Sequence, residues 1–315
     1  MSFDTLLGND RLKQNLAQSI GAGHISHFYL ISGPAGSGKH TLAKLLSAAI
    51  LCRGKGKPCL SCPPCRKVME DNHPDLITVE DPEHKNVAVK IVRQMRDDMF
   101  IRPNESDYKI YLFPQELGIE GQNALLKILE EPPHYGVFIL LTDNPEKLLP
   151  TVRSRCTELK MQAVPSPILG PYLRQKFPQA TEEDLEAAIF RSGGFVGQAV
   201  EYLQSGGQML PQTEDFLRAF GSRDSLLLTE VLVPMEKWKR DQLLEVLQSW
   251  LEILESALAC RSGLRAVSAP AQKLAALRTG EELYGAVVQL KKAMDYGRGN
   301  VSPAAICGYL QWVLR

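Results

Sequence analysis

The sequence predicts an α/β phosphate-loop domain built on a largely parallel sheet, followed by a small helical unit and an all-α C-terminal domain. Three observations carry this expectation. Short apolar strands alternate with helical patterns as far as Met161, an order that sets parallel strands between layers of helices. A glycine-rich loop, GPAGSGKHT from Gly33 to Thr41, lies between the β-prone run HFYLIS and the apolar run LAKLLSAAIL. From about Gly207 onward, apolar residues recur at helical intervals.

Taken in order, Asp4 to Ile20 carries Leu6, Leu7, Leu12, Leu16 and Ile20 at helical spacing, and Asn9 with Asp10 offers a cap where the helix restarts. His27 to Ser32 is a strand that feeds the glycine loop and then a helix. After a cluster of cysteines, strands are expected at Asp75–Val79, Lys109–Phe113, Val137–Leu141 and Thr157–Met161. Helices are expected between them, near Val87–Phe100 and at Gln122–Glu130, where Pro132 and Pro133 stop the second. Pro165 and Pro167 mark a boundary, and Leu173 to Gly197 reads as short helices around Gly193, Gly194 and Gly197. Leu243, Leu244, Leu247, Trp250, Leu251, Ile253, Leu254 and Leu258 describe a longer amphipathic helix, and similar patterns recur at Leu283–Met294 and Ala304–Leu314. The expected domains are therefore 1–161, with the cysteine module 52–65 inserted, then a helical lid at 162–206 and an all-α domain at 207–315.

Hydrophobic residues at 44% and charged residues at 23% allow sizeable cores in 315 residues and exclude wholesale disorder. Basic and acidic residues both number 36, and neither side of Met161 is strongly charged, so no global field attracts nucleic acid or a membrane surface. Met1 to Gly8 lacks the basic-then-apolar order of a secretory signal, and apolar runs such as Val137–Leu141 fall far short of the ~20 residues that span a bilayer. A cytoplasmic protein without membrane contact is expected, and in that reducing compartment the seven cysteines are not expected to form structural disulfides.

Gly33, Gly36, Gly38 and Lys39 fit the pattern G-x-x-x-x-G-K, in which backbone amides wrap a phosphate at a helix N-terminus and the lysine neutralises it. The hydroxyl that should follow the lysine and ligate Mg²⁺ is replaced by His40, a poor partner for a hard cation. Thr41 comes one residue too late, because one helical step turns its side chain about 100° away. The apolar strand that should end in Asp-Glu instead runs from Phe113 into Pro114 and Gln115, with Glu116 beyond. ATP or ADP binding is therefore doubtful, and turnover is not expected unless Glu116 or another carboxylate substitutes.

Cys52, Cys59, Cys62 and Cys65 present four thiols at intervals compatible with one tetrahedral, structural Zn²⁺, and Pro58, Pro63 and Pro64 discourage a helix that would spread them. Free buried thiols or a redox pair are the competing readings, and His73 is a spare ligand candidate. Arg53, Lys55, Lys57, Arg66 and Lys67 around the cluster read as a solvated charged loop before they read as a DNA contact.

GPAGSGKHT, the four cysteines after the next helix, NALLKILEEPP at Asn123–Pro133 and LLPTVRSRC at Leu148–Cys156 together resemble bacterial DNA polymerase III clamp-loader subunits, the gamma/tau and delta-prime group of AAA+ proteins. The resemblance covers the first domain and weakens from about Gly207. Within the group, the missing Asp-Glu pair resembles the delta-prime branch, and Gly197 stands where a hydrolysing relative places a nucleotide-sensing Arg.

The resemblance implies a non-hydrolysing member of the DNA polymerase III holoenzyme. Its implied partners are gamma/tau and delta subunits in a hetero-pentamer that sets the β sliding clamp on primed DNA, with 207–315 as its oligomerisation collar. It also implies that Arg155 is an arginine finger serving a neighbouring subunit's ATP, and that Thr142 occupies the first sensor position. The alternatives are an active gamma-type ATPase and a zinc-dependent nucleic-acid binding module.

Overall fold

A computed structural model describes residues 3–84, 86–204, 211–263, 269–299 and 301–314. The chain forms two compact units, Met1–Lys176 with Ser192–Glu201, and Phe177–Arg191 with Tyr202–Arg315. The first unit thus runs past Met161, and the segment read as a lid is shared between the two.

The first unit contains α1 (Asp10–Gly21), β1 (Phe28–Ser32), α2 (Lys39–Leu51), α3 (Pro63–Met69), β2 (Leu76–Thr78), α4 (Val89–Asp98), β3 (Lys109–Phe113), α5 (Ile119–Glu130), β4 (Gly136–Thr142), α6 (Pro150–Arg153), β5 (Thr157–Lys160) and α7 (Ser166–Lys176). Among the described residues its five strands are all parallel in the order β2-β3-β4-β1-β5, so the α/β parallel sheet that the sequence predicts is present. Every residue of β1, β3 and β4 is buried, as expected for parallel strands covered on both faces.

Alternation along the strands divides the core. Tyr29, Ile31, Ile110, Leu112, Val137, Ile139 and Leu141 pack with residues of α1, α2 and α3. Phe28, Leu30, Tyr111, Phe113, Phe138 and Leu140 pack with residues of α4, α5 and α6 on the other face. Phe138 stacks on Tyr111 at 5.6 Å and meets Phe28 edge-on at 6.0 Å.

Two local expectations are corrected. Asn9 does not cap α1: its backbone is left-handed (φ 55°), and its amide pairs instead with one backbone residue, accepting from Gln162 N at 2.8 Å and donating to Gln162 O at 3.3 Å. Pro63 and Pro64 start α3 where they were expected to discourage helix. The first-turn N–H groups of a helix have no intrahelical partner, so proline loses nothing there.

The second unit holds α8 (Glu182–Arg191), then α10 (Pro211–Ser222), α11 (Ser225–Met235), α12 (Arg240–Arg261), α13 (Ala269–Leu277), α14 (Gly280–Arg298) and α15 (Pro303–Val313); the intervening α9 (Val196–Gln204) begins in the first unit. Its core is centred on Trp250, fully buried and stacked on Phe216 at 4.0 Å and 6°. Truncating so large a ring would cost about 3–5 kcal/mol. Among the described residues no helix is long and apolar enough to cross a membrane.

Candidate functional site

The glycine loop leaves the C-terminal end of β1, the edge of an open parallel sheet at which α/β folds bind ligands. Ser32 pairs with Thr142 on β4, and Gly33 N donates to Thr142 O at 3.2 Å, so the loop and the end of β4 are adjacent. Ala35, Gly36, Lys39, His40, Pro114, Glu116, Leu141, Thr142 and Asp143 line one cleft of about 260 Å³. That lies just under the ~300–1,000 Å³ typical of small-molecule sites.

Local sterics explain two glycines. A Cβ on Gly33 would stand 2.8 Å from Met161 Cβ, and one on Gly36 (φ 72°) would stand 2.6 Å from Gln198 N. The second contact arises because the start of α9 lies on the loop: Gly197 N donates to Gly36 O at 2.8 Å, and Gln198 Nε2 donates to Ala35 O at 2.8 Å.

Lys39 opens α2 and is buried, and its ammonium meets Gly33 O at 2.7 Å, Pro34 O at 2.9 Å and Asp143 Oδ1 at 2.6 Å. Asp143 escaped the sequence reading. Its only signal there is its place directly after Thr142 at the end of an apolar strand, which becomes informative once β4 is known to lie beside β1. Partial desolvation and then the Lys39 charge push the His40 imidazole below its usual value, so it is neutral at pH 7 and adds no charge for a phosphate. Thr41 is exposed. The Thr142 hydroxyl is spent on its own turn, donating to Asn144 O at 3.0 Å and accepting from Asn144 N at 3.1 Å.

The β3 end brings one carboxylate to the cleft, that of Glu116, and it is already paired. Gln115 follows Pro114 and is tied to the segment after β2, accepting from Asp81 N at 2.8 Å and donating to Asp81 O at 3.0 Å. Both oxygens of Glu116 are taken by Lys147 at 2.9 Å.

The four cysteines converge between the end of α2 and the start of α3. Their sulfurs all lie within 4.8 Å of one another, with Cys52–Cys62 and Cys59–Cys65 at 4.0 Å. A tetrahedron with metal–sulfur bonds of ~2.3 Å has edges of roughly 3.8 Å, so the group can hold a metal ion. Gly54 N and Cys59 N donate to Cys52 Sγ at 3.3 and 3.4 Å, and Cys62 N donates to Cys59 Sγ at 3.3 Å, an arrangement that favours thiolates. Hydrogen bonds from Ser61 and from the Cys62 backbone bring the Cys59 thiol down to about 5, whereas burial pushes Cys65 and Cys52 up.

His73 stands apart from this group. Its Nδ1 accepts from Asp75 N at 3.1 Å, and its Nε2 lies 3.4 Å from Ser106 Oγ. Lys67 binds Glu105 at 2.6 and 2.8 Å and Arg53 reaches the Glu105 carbonyl, so two of the basic residues fasten the module to the neighbouring loop.

Arg155 follows α6 near the opposite rim of the sheet. Thr157, at the start of β5, pairs with Tyr29, four strand residues or roughly 13 Å before Gly33. The half-exposed guanidinium donates to Thr151 O at 2.8 Å and to Glu130 Oε1 at 3.2 Å.

Comparisons with known proteins agree with the sequence motifs. The DNA polymerase III subunit gamma/tau of Mycobacterium tuberculosis is 31% identical over 200 residues, covering 61% of this chain and 35% of that protein. The DNA polymerase III subunit tau of Bacillus subtilis is 29% identical over 235 residues, covering 72% and 40%. The chain thus spans well under half the length of these relatives. Among solved structures, a DNA polymerase III gamma subunit-related protein from Thermotoga maritima aligns over 96% of this chain and 99% of that one, with a TM-score of 0.46 and 17% identity. The family described as "DNA polymerase III, delta subunit" matches residues 8–165, half of the chain, and the chain belongs to that family.

Proposed function

We propose that this chain is a delta-prime type subunit of a bacterial DNA polymerase III clamp loader, cytoplasmic and without ATP turnover of its own. On this reading it assembles with gamma/tau and delta subunits in a hetero-pentamer that places the β sliding clamp on primed DNA. The observation that carries the reading is that the β3 end offers no unpaired carboxylate: Pro114 and Gln115 occupy the Asp-Glu positions, Gln115 is tied to Asp81, and Glu116, which lines the cleft, is paired with Lys147 through both oxygens. Phosphoryl transfer in this class needs an acid to hold Mg²⁺ and another group to orient water.

Arg155 then acts in trans. Its distance from its own loop supports service to a neighbour's nucleotide, once the contact with Glu130 is released. The cysteine group holds a structural Zn²⁺, since four thiols close its coordination sphere and leave no open position for chemistry. Residues 1–161, 162–206 and 207–315 serve as nucleotide-fold, lid and collar.

The test is hydrolysis of Mg-ATP by the purified chain. No turnover above background is expected. Sustained turnover that Lys39→Ala abolishes would overturn the reading in favour of a gamma-type motor.

A further inference from the structure

We propose that Asp143 is a built-in substitute for a nucleotide phosphate: its carboxylate joins two loop carbonyls in taking all three hydrogens of the Lys39 ammonium, and this closes the loop to phosphate ligands. The proposal rests on the non-hydrolysing reading above and adds to it a device that keeps the site empty.

An ammonium group has three donors and no more. Gly33 O, Pro34 O and Asp143 Oδ1, at 2.7, 2.9 and 2.6 Å, account for all of them. The Lys39 side chain is only 8% exposed, so it has no latitude to turn toward a new partner while these bonds stand. An arriving phosphate must therefore displace Asp143 and then lie beside its negative charge in the same cleft.

The position of the carboxylate follows from the fold. Asp143 is the residue after β4, β4 pairs with β1, and the self-satisfied turn of Thr142 and Asn144 fixes where the chain leaves the sheet. On the outer side of the loop, Gly36 O and Ala35 O are already bonded to Gly197 N and Gln198 Nε2, which holds the loop in the shape that presents Gly33 O and Pro34 O to Lys39. The Asp143 side chain is 59% exposed, so its removal leaves no cavity and the substitutions below are compatible with folding.

The experiment is calorimetric titration of the full-length chain with inorganic pyrophosphate in the absence of divalent metal, and separately with Mg-ADP. The unmodified chain is expected to show no binding at millimolar ligand. Asp143→Asn, which keeps the shape and removes the charge, is expected to gain about tenfold or more in pyrophosphate affinity. The gain should vanish when Lys39→Ala is added.

Asp143→Ser is the second variant, and circular dichroism establishes that both are folded. If the two folded variants bind pyrophosphate no more tightly than the unmodified chain, the proposal is overturned. It is equally overturned if the unmodified chain binds Mg-ADP firmly and Asp143→Asn loses it, since Asp143 is then a metal ligand. The ATPase measurement separates the two levels: absence of turnover with no gain in the variants removes the device alone, whereas turnover removes the reading beneath it.

Discussion

Gly197 donates its amide hydrogen to the Gly36 carbonyl at 2.8 Å, and the two residues approach so closely that neither has room for a side chain. A Cβ built on Gly197 would stand 2.6 Å from Gly36 Cα and 2.8 Å from Gly36 O. The position at which the resemblance leads one to expect a sensing arginine is therefore filled by the backbone of the phosphate loop itself. Gly197→Ala should destabilise the first unit by about 1–3 kcal/mol, the range for forcing extra atoms into a closed contact. Gln198→Ala loses one hydrogen bond at the loop surface and should cost about 1 kcal/mol or less. Urea denaturation of the two variants checks the order, and a Gly197→Ala chain as stable as the original would show that the contact yields easily.

Arg155→Ala should leave the chain folded, since the residue is half-exposed and its bonds to Thr151 and Glu130 lie at the surface. In a loader reconstituted with gamma/tau and delta subunits, the same variant should lower ATPase activity by on the order of 10³-fold at the site it serves, the scale on which such fingers act. Activity equal to that of the unmodified assembly would remove Arg155 from this role.

Metal analysis of the purified chain should find one equivalent of zinc. Replacing Cys62 and Cys65 together by Ser should release it and lower the melting temperature of the first unit, because binding energy at a structural site is also folding energy. Cys156→Ser lies outside the cluster and should retain the full equivalent. A chain isolated without metal under reducing, chelator-free conditions would leave the four thiols as packed cysteines.

Glu282 gives the second unit an acid-sensitive element. Its carboxylate accepts from the Thr279 backbone and from Arg223 and Arg278 while the Thr279 hydroxyl caps α14, and these bonds, the Thr279 amide first, hold its pKa down to about 2. The folded value lies below the ~4.3 of an unfolded glutamate, so the stabilisation is complete above about pH 4.3 and is lost as pH falls toward 2. The unmodified chain should therefore be more stable than Glu282→Gln at pH 7, and the difference in urea midpoint should shrink across that acid window. A difference that does not change with pH would assign the effect to shape and not to charge.

Much of the fold is legible in the sequence. The sequence predicts Lys109–Phe113 with its observed bounds, because four of its five residues are apolar and a strand buried on both faces has no exposed side to blur the pattern. The strand expected at Asp75–Val79 is Leu76–Thr78 in the structure, although Asp75 O and Val79 N still bond to Ile110 N and Leu112 O at its two ends, and the Asp75 carboxylate accepts the amides of Asn104, Glu105 and Ser106. The four cysteines lie within fourteen positions, near enough in the chain for spacing alone to suggest a shared ion.

By itself, the sequence determined the α/β class, the phosphate loop, the absence of Asp-Glu after β3 and the cysteine group, all of which are written in residues close together along the chain. Only the tertiary structure decided what occupies the loop. Lys39 and Asp143 are 104 positions apart, and Gly36 meets Gly197 through the far end of the first unit. Strand order brings the first pair together and a returning helix the second, and neither leaves a periodic signature because one contact between distant residues has no local repeat to read.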